Sequence, residues 1–386
     1  MSLRYLTAGE SHGRGIIVIL EGIPSGLTIN AEDIDVELSR RQKGYGRGLR
    51  MRIETDFVQV LSGIRHVRSL GSPIAMLIDN KDWDNWKSVM SPTSVDLDGD
   101  TLQKPRPGHA DLAGLMKYGV ADFRDILERS SARETAGRVA AGAVCKELLK
   151  QFNIDISSYV IQIGNIKADM ASIPREKVWH NTEMSFVRCP DPKATKSMIN
   201  IIRKAASKGD TLGGKFVVRA KGVPPGLGSH TQWDLKLDGR LAQSLISIQA
   251  IKAVEFGSGA GFASLKGSAA FDEIFYDKEK GFHRKTNRAG GIEGGISNGK
   301  SIEATCTMKP IPSLGEPLRS VDITTKKAAK AEIVRSDICA VPAAGVVAEA
   351  VVAFEIARAM REKFGGDSLD DMKKSYDAYM ERIKNL

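Results

Sequence analysis

The sequence predicts an α/β (α+β) fold, and three observations carry that prediction. Short apolar runs of strand length alternate along the 386 residues with longer helical stretches. No low-complexity linker or shift in composition divides them, so residues 1–386 read as a single large domain. A short echo, EGIPSGL (Glu21–Leu27) and KGVPPGL (Lys221–Leu227), follows a strand and precedes a helix in both places, which raises two pseudo-related halves as an expectation.

Ile16–Gly22, Val58–Gly63, Ile74–Asp79, Phe216–Gly222 and Ser301–Met308 read as strands. Asn30 is placed to cap a helix through AEDIDVELSRR, with Asp33 three residues on and Gly44 beyond its end. Ser131 and Glu134 have the spacing of a capping box for ARETAGRVAAGAVCKELLK, whose Val139, Ala143, Val144 and Leu148 share one face. Asp238 is placed to cap GRLAQSLISIQAIKAV, and Pro342 and Gly365 open and close AAGVVAEAVVAFEIARAMREKF. Residues from about 367 to 386 read as a solvated terminal helix.

Apolar residues make up 42% of the chain and charged residues 27%, enough for a sizeable core. Lysine and arginine exceed acidic residues by 56 to 47, a formal charge of +9. That surplus suits nucleic acid, an acidic membrane surface or a polyanionic small molecule. Cys145, Cys189, Cys306 and Cys339 lie far apart with no C-x-x-C, which leaves no zinc ribbon or thioredoxin-type motif and fits free thiols in the cytoplasm. The start, MSLRYLTAGESHG, lacks the apolar stretch of a signal peptide. AVPAAGVVAEAVVAFEIA contains Glu349 and Glu355 and reads as a buried helix, not a membrane span.

GGISNGKS (Gly294–Ser301) fits G-x-x-x-x-G-K-[ST], the pattern of a loop that wraps nucleotide phosphates. Such a loop needs a strand before it and a helix after it. Here Ile302, Ala304, Cys306 and Met308 alternate with polar residues, which is a half-buried strand, and Asn298-Gly299 reads as a hairpin turn. A P-loop phosphotransferase is therefore a rival reading, disfavoured by local structure.

Three stretches concentrate chemistry. GESHG (Gly9–Gly13) sets Ser11 and His12 between glycines, and RPGHAD (Arg106–Asp111) sets His109 in a Pro/Gly turn beside Arg106. Imidazole suits proton transfer near neutral pH, and no H-x-x-x-H or H-E-x-x-H spacing supports a metal. A loop histidine hydrogen-bonded to backbone is the plain alternative for His12. ERSSARETAGRVAAGAV (Glu128–Val144) puts Arg129, Ser130 and Ser131 before a helix whose free N–H groups favour phosphate; an ordinary capped surface helix is the alternative. RRQKGYGRGLRMR (Arg40–Arg52) adds arginines whose planar forks suit carboxylate and phosphate, and RSDICAVPAAG (Arg335–Gly345) places Arg335 and Asp337 just before a helix, where an Asp is ordinarily a cap or a salt-bridge partner. A nucleic-acid surface would show a continuous basic run with aromatics for stacking, and only Tyr45 is interleaved in the first cluster. A polyanionic small molecule is the preferred partner, with a nucleic-acid module as a third reading.

GESHG, RRQKGYGRG, RPGHAD, ERSSARETAGRVAAGAV, GGIEGGISNGK, KPIPS and RSDICAVPAAG, in that order, resemble the chorismate synthase family from Arg4 to about Phe364. The resemblance implies a β-α-β sandwich assembled as a homotetramer. It implies the last common step of the shikimate pathway to aromatic amino acids: anti-1,4-elimination of phosphate from 5-enolpyruvylshikimate 3-phosphate to give chorismate. Reduced FMN would be required with no net redox change. NADPH would be the ultimate reductant, through an external flavin reductase, because no extra domain for that task is visible.

By resemblance, His12 would protonate the departing phosphate with support from Ser11. His109 would protonate or stabilise the reduced flavin, and Asp337 would accept the ring proton. Arg41 and Arg47 would hold the anionic ligand and correspond to positions linked to NADPH. Arg129, Ser130, Ser131, Gln249, Ala250, Gly294, Lys309, Pro310, Ile311, Pro312, Ser313 and Arg335 would contact FMN. No metal is implied. Many relatives carry Asn where this chain has Gln249, and Ile338 stands where Pro is more usual; the amide and Asp337 are kept.

Overall fold

The computed structural model describes residues 2–48, 55–93, 101–279 and 281–386. Arg50 and Arg52 of the first basic cluster lie outside the described residues. In chain order the first part runs β1 (Arg4–Ala8), β2 (Gly15–Glu21), α1 (Ala31–Gln42), β3 (Val58–Val60), β4 (Ile64–Arg65), β5 (Arg68–Ser69), β6 (Ile74–Asp79), α2 (Asp111–Tyr118), α3 (Arg124–Ser130) and α4 (Thr135–Lys150). The second runs β7 (Asp155–Ile163), β8 (Ile166–Lys167), α5 (Val178–Met184), α6 (Pro192–Ser207), β9 (Gly214–Lys221), α7 (Leu237–Ile246) and β10 (Ile251–Phe256). There follow β11 (Ile274–Asp277), β12 (Gly281–Arg284), β13 (Ile292–Glu293), β14 (Ile296–Ser297), β15 (Ile302–Met308), β16 (Arg319–Val321), β17 (Ala328–Lys330), α8 (Val341–Phe364) and α9 (Leu369–Lys384).

Two antiparallel sheets enclose a helical layer. One has the order β1-β2-β6-β3 and the other β10-β15-β9-β7-β8. Alternation selects the faces: Ile16, Val18 and Leu20 of β2 and Ile302, Ala304, Cys306 and Met308 of β15 point inward and are buried, while Ile17 and Ile19 face out. Helices α1, α4, α7 and α8 fill the space between, α4 against β2 and α8 against β7 and β9. This is a β-α-β sandwich. Helix α8 is buried nearly all round, yet no helix among the described residues is long and apolar enough to cross a membrane.

The echo marks a structural repeat. β1, β2, β6 and β3 correspond in order to β7, β9, β15 and β10. Ser69 Oγ donates to Pro24 O at 2.6 Å and accepts the Leu27 N–H at 2.9 Å. Ser297 Oγ repeats this with Pro224 O at 2.7 Å and the Leu227 N–H at 2.8 Å. Gly26 and Gly226 take matching left-handed φ of 86° and 93°.

Helices α4 and α8 cross closely. A Cβ on Gly142 would sit 2.5 Å from Ala350 Cα, where no side-chain rotation relieves it. Gly142→Val is expected to lower the thermal midpoint, since overpacking costs about 1–3 kcal/mol, more than the gain in helix propensity returns. An unchanged midpoint by circular dichroism would contradict this packing.

A buried charge cluster ties the helical layer to the second sheet. Glu349 of α8, fully buried, meets Arg40 of α1 and Lys146 of α4 at 2.7 Å each, Ser158 of β7 at 2.7 Å and Arg188 at 3.1 Å. Burial pushes its carboxyl up, but Lys146, Arg40 and Arg188 outweigh that and hold it well below the usual glutamate range.

Several expectations are corrected. The segment GRLAQSLISIQAIKAV is not one helix: α7 stops at Ile246, Ala250 turns left-handed at φ +67°, and Ile251 begins β10. β-Branched Ile251 and Val254 then pair with β15. Asp238 lies in the first turn of α7, and Lys236 takes the capping position. Asn30 precedes α1 but bonds Asp33 at 2.9 Å, not the helix backbone. The terminal helix α9 is exposed on one side only: Leu369 and Met372 are buried, and Tyr376 and Tyr379 pack on Phe364.

The segment GGISNGKS is followed by β15, not a helix, so no phosphate-wrapping loop forms. The tight hairpin lies at Gly294-Gly295, between β13 and β14, where φ values of 60° and 86° call for glycine. Asn298-Gly299 instead makes the turn from β14 to β15, with Asn298 Oδ1 accepting the Lys300 N–H at 3.0 Å. Lys300 Nζ donates to Arg284 O at 2.8 Å, a structural bond.

Candidate active site

The loop between β1 and β2 carries GESHG. Asn80, just past β6, clamps it by donating to Glu10 O at 3.1 Å and Gly13 O at 2.6 Å. The loop's other side rests on the junction of α3 and α4. Ser11 N–H donates to Glu128 O at 3.1 Å, and Ser11 Oγ bonds Ser131 Oγ at 3.1 Å. The Glu128 carboxylate takes the His12 N–H at 2.6 Å and meets His12 Nδ1 at 2.8 Å. Trp86 covers the imidazole with ring centroids 4.1 Å apart. Arg129 donates to Gly9 O at 2.8 Å, while Ser130 Oγ turns back to Leu127 O at 3.2 Å.

Ser131 and Glu134 do not form a reciprocal capping box. Ser131 breaks the chain between α3 and a short 3-10 turn, Ala132–Glu134, and its Oγ accepts the Arg133 N–H at 3.2 Å. Glu134 reaches elsewhere, to Thr7 Oγ1 at 3.0 Å, Arg138 Nε at 3.0 Å and Gln249 Nε2 at 3.3 Å. Buried partners outcompete the local cap. Glu134 thereby sets the Gln249 amide so that Oε1 is a buried acceptor with no partner among the described residues.

Arg41 and Arg133, both buried, share Asp56 at 2.6 and 2.5 Å, and Arg133 Nε also donates to Asn80 Oδ1 at 2.7 Å. Burial pushes the Asp56 carboxyl up, but Arg41 and then Arg133 outweigh it and hold it below its usual range. Arg47 pairs with Asp337 at 2.7 Å, and Asp337 Oδ1 accepts the Gly48 N–H at 2.6 Å. Ile338 N–H donates to Gly46 O at 2.8 Å, so the loop keeps a fixed contact without proline. A cavity of about 490 Å³ opens here, lined in part by Lys43, Tyr45, Arg47, Arg203 and Ile338.

The RPGHAD turn builds a second imidazole–carboxylate pair. Arg106 Nε bonds Asp111 Oδ2 at 2.9 Å, Arg106 Nη1 reaches Ser313 Oγ at 2.7 Å, and His109 Nδ1 bonds Asp111 Oδ1. Lys309 Nζ donates to Gly108 O, and Lys309 N–H to Ala250 O at 2.9 Å. Ile311 O accepts from Thr211 Oγ1 at 2.7 Å. Pro312 packs beside Gly108, and Pro310 is exposed.

Burial pushes the Asp111 carboxyl up, but hydrogen bonds from His109 and Arg106 bring it down to about 2. A carboxyl depressed on folding stabilises the fold above its unfolded value and loses that contribution as pH falls through the folded one. Asp111 therefore contributes fully above about pH 4 and loses its contribution between about pH 4 and 2. Asp111→Asn should flatten the stability–pH curve in that window; an unaltered curve would contradict the pairing.

Ser11, His12, Arg129, Ser130 and Ser131 thus share one corner, joined to Gln249 through Thr7 and Glu134. Ala250, Lys309 to Ser313 and His109 form the next, and Arg41 joins through Arg133 and Asn80. Arg47 and Asp337 form a third. Among the described residues no hydrogen bond ties Gly294 to the others, and a Cβ there would meet nothing within 4 Å. Arg335 is exposed and pairs with none of the described residues. Sequence reading missed Glu128, Trp86, Asp56, Asn80 and Thr7 as site residues. Glu128 carried a signal, one helical turn before Ser131; the others had none.

Two imidazole–carboxylate pairs, clustered hydroxyls and arginines from distant segments define an enzyme site suited to a polyanionic small molecule. The chorismate synthase family profile matches residues 3–360. The chain is 68% identical to chorismate synthase of Endomicrobium trichonymphae over 384 residues, covering 100% of each chain. It is 53% identical to that of Desulforudis audaxviator, covering 99% of this chain and 98% of the relative. A solved structure, "Crystal Structure of Chorismate Synthase", superposes with a TM-score of 0.81 at 41% identity and covers 100% of this chain and 99% of its own. The chain belongs to the chorismate synthase family.

Proposed function

We propose that this chain is an FMN-dependent carbon–oxygen lyase that eliminates phosphate from 5-enolpyruvylshikimate 3-phosphate in the anti-1,4 sense, giving chorismate. The observation that carries the reading is the bonding of GESHG to the ERSS segment, which sets a held imidazole and two hydroxyls beside an arginine. The donor set also suits FMN. Arg129, Ser131 and Lys309 offer charge and hydroxyl groups to a phosphate, and the partnerless Gln249 Oε1 offers an acceptor to the ring's imide. Ser130, Ala250, Gly294, Pro310 to Ser313 and Arg335 complete the proposed cofactor contacts. Held by these residues, reduced FMN would supply transient one-electron chemistry with no net redox change.

His12 delivers a proton to the departing phosphate, and Ser11 holds the same group. His109, held at Nδ1 by Asp111, carries the proton that steadies the reduced cofactor. Asp337 accepts the ring proton, kept in place by Arg47 and the Gly48 N–H. Arg41 and Arg47 attract the substrate's carboxylates and NADPH. The reading extends to a single-domain chain in a cytoplasmic homotetramer, with no nucleic-acid or membrane partner. An external reductase supplies the flavin, so anaerobic mixing with FMN and NADPH alone should leave FMN oxidised.

Protein mixed anaerobically with the phosphorylated substrate and dithionite-reduced FMN should release phosphate, and with oxidised FMN should not. Phosphate release from ATP in place of that activity would favour a phosphotransferase.

A further inference from the structure

We propose that Glu128 is a positioning residue for the elimination, fixing the plane and the Nδ1–H tautomer of His12. The inference rests on the reading of His12 as proton donor. A carboxylate only accepts hydrogen bonds. Glu128 Oε2 is taken by the His12 N–H at 2.6 Å, and Oε1 faces Nδ1 at 2.8 Å. Both facing groups must donate, which places a proton on Nδ1; the proton passed to substrate is the second one, on Nε2 of the imidazolium, and its loss leaves the neutral Nδ1–H ring. The two contacts define the ring's direction, and Trp86 against its face defines the plane. The Glu128 side chain is 2% exposed and the His12 side chain 15%, so water competes poorly for the carboxylate while the imidazole still reaches the surface. Glu128 also stands one residue before Arg129 on α3, so one rigid helix positions the imidazole and presents the arginine beside it.

Glu128→Gln tests this without changing shape. An amide has one acceptor oxygen and cannot receive both donors. With its oxygen on the His12 N–H, its NH₂ faces Nδ1 and opposes a proton there, which disfavours the imidazolium that donates and leaves a neutral ring protonated on Nε2. In ¹⁵N-histidine-labelled protein, with the His12 signals identified by their loss in His12→Ala, the native chain should carry its proton on Nδ1 and Glu128→Gln on Nε2. Turnover with reduced FMN should fall about 100-fold in kcat, the order by which orienting partners act, with KM within about 2-fold. Glu128→Gln combined with His12→Ala should be no slower than His12→Ala alone, because the carboxylate acts only through the imidazole. Wild-type kcat in Glu128→Gln, an unprotonated Nδ1 in the native chain, or a double variant slower by the product of both effects would each overturn the proposal. The native spectrum decides even if the variant does not fold. Wild-type turnover in His12→Ala would instead defeat the reading of His12 and leave the tautomer measurement standing.

Discussion

His12→Ala should lower kcat for phosphate elimination by about 10²–10⁴-fold, the range over which general acid–base groups act. The fold should survive. His12 lies on a loop, its ring is partly exposed, and Asn80 clamps the loop through the Glu10 and Gly13 carbonyls independently of the imidazole. KM should change little, because the arginines and hydroxyls proposed to hold anions remain. A loss confined to kcat separates a proton-transfer role from a binding role. The check is steady-state kinetics under anaerobic conditions, beside a circular dichroism spectrum that matches the parent. Wild-type kcat would remove His12 from the mechanism.

Glu349→Ala should destabilise the chain by about 3–5 kcal/mol. The carboxylate faces Arg40, Lys146 and Arg188 with no solvent exposure, and its removal takes a counter-charge from two buried cations and a partly buried one. Arg40 and Lys146 keep Glu37 at 2.9 and 2.6 Å, and Arg188 keeps Glu183 at 2.8 Å, which places the loss toward the lower end. Urea unfolding at fixed protein concentration should show a lowered midpoint with the slope little changed. The effect also reaches the site, since Arg40 anchors the last turn of α1, next to Arg41. An unaltered midpoint would mean that the neighbouring carboxylates fully replace Glu349.

Elements with a strong period were legible from sequence. β15 shows its alternation residue by residue, α8 its apolar run between Pro342 and Gly365, and the paired EGIPSGL and KGVPPGL segments expose the repeat. Where tertiary partners decide, local signals misled. Ser131 and Glu134 have capping spacing, but Thr7, Arg138 and Gln249 claim the carboxylate. The run after Ser247 looked helical until the left-handed Ala250 and the edge of β15 claimed Ile251. His12 and His109 stood out because glycine flanks them. Asp56 and Asn80 did not, because each gains its meaning from Arg133, 77 and 53 residues away. Contacts at that range leave no periodic trace in one sequence.

The proposed reaction is an elimination without net redox change. Its most direct measurement is the anaerobic stoichiometry of phosphate, chorismate and oxidised flavin, with reduced FMN far below substrate. One phosphate per chorismate over many turnovers, with no oxidised flavin accumulating, is the predicted result. Flavin oxidised in step with product, or phosphate released without chorismate, would contradict it.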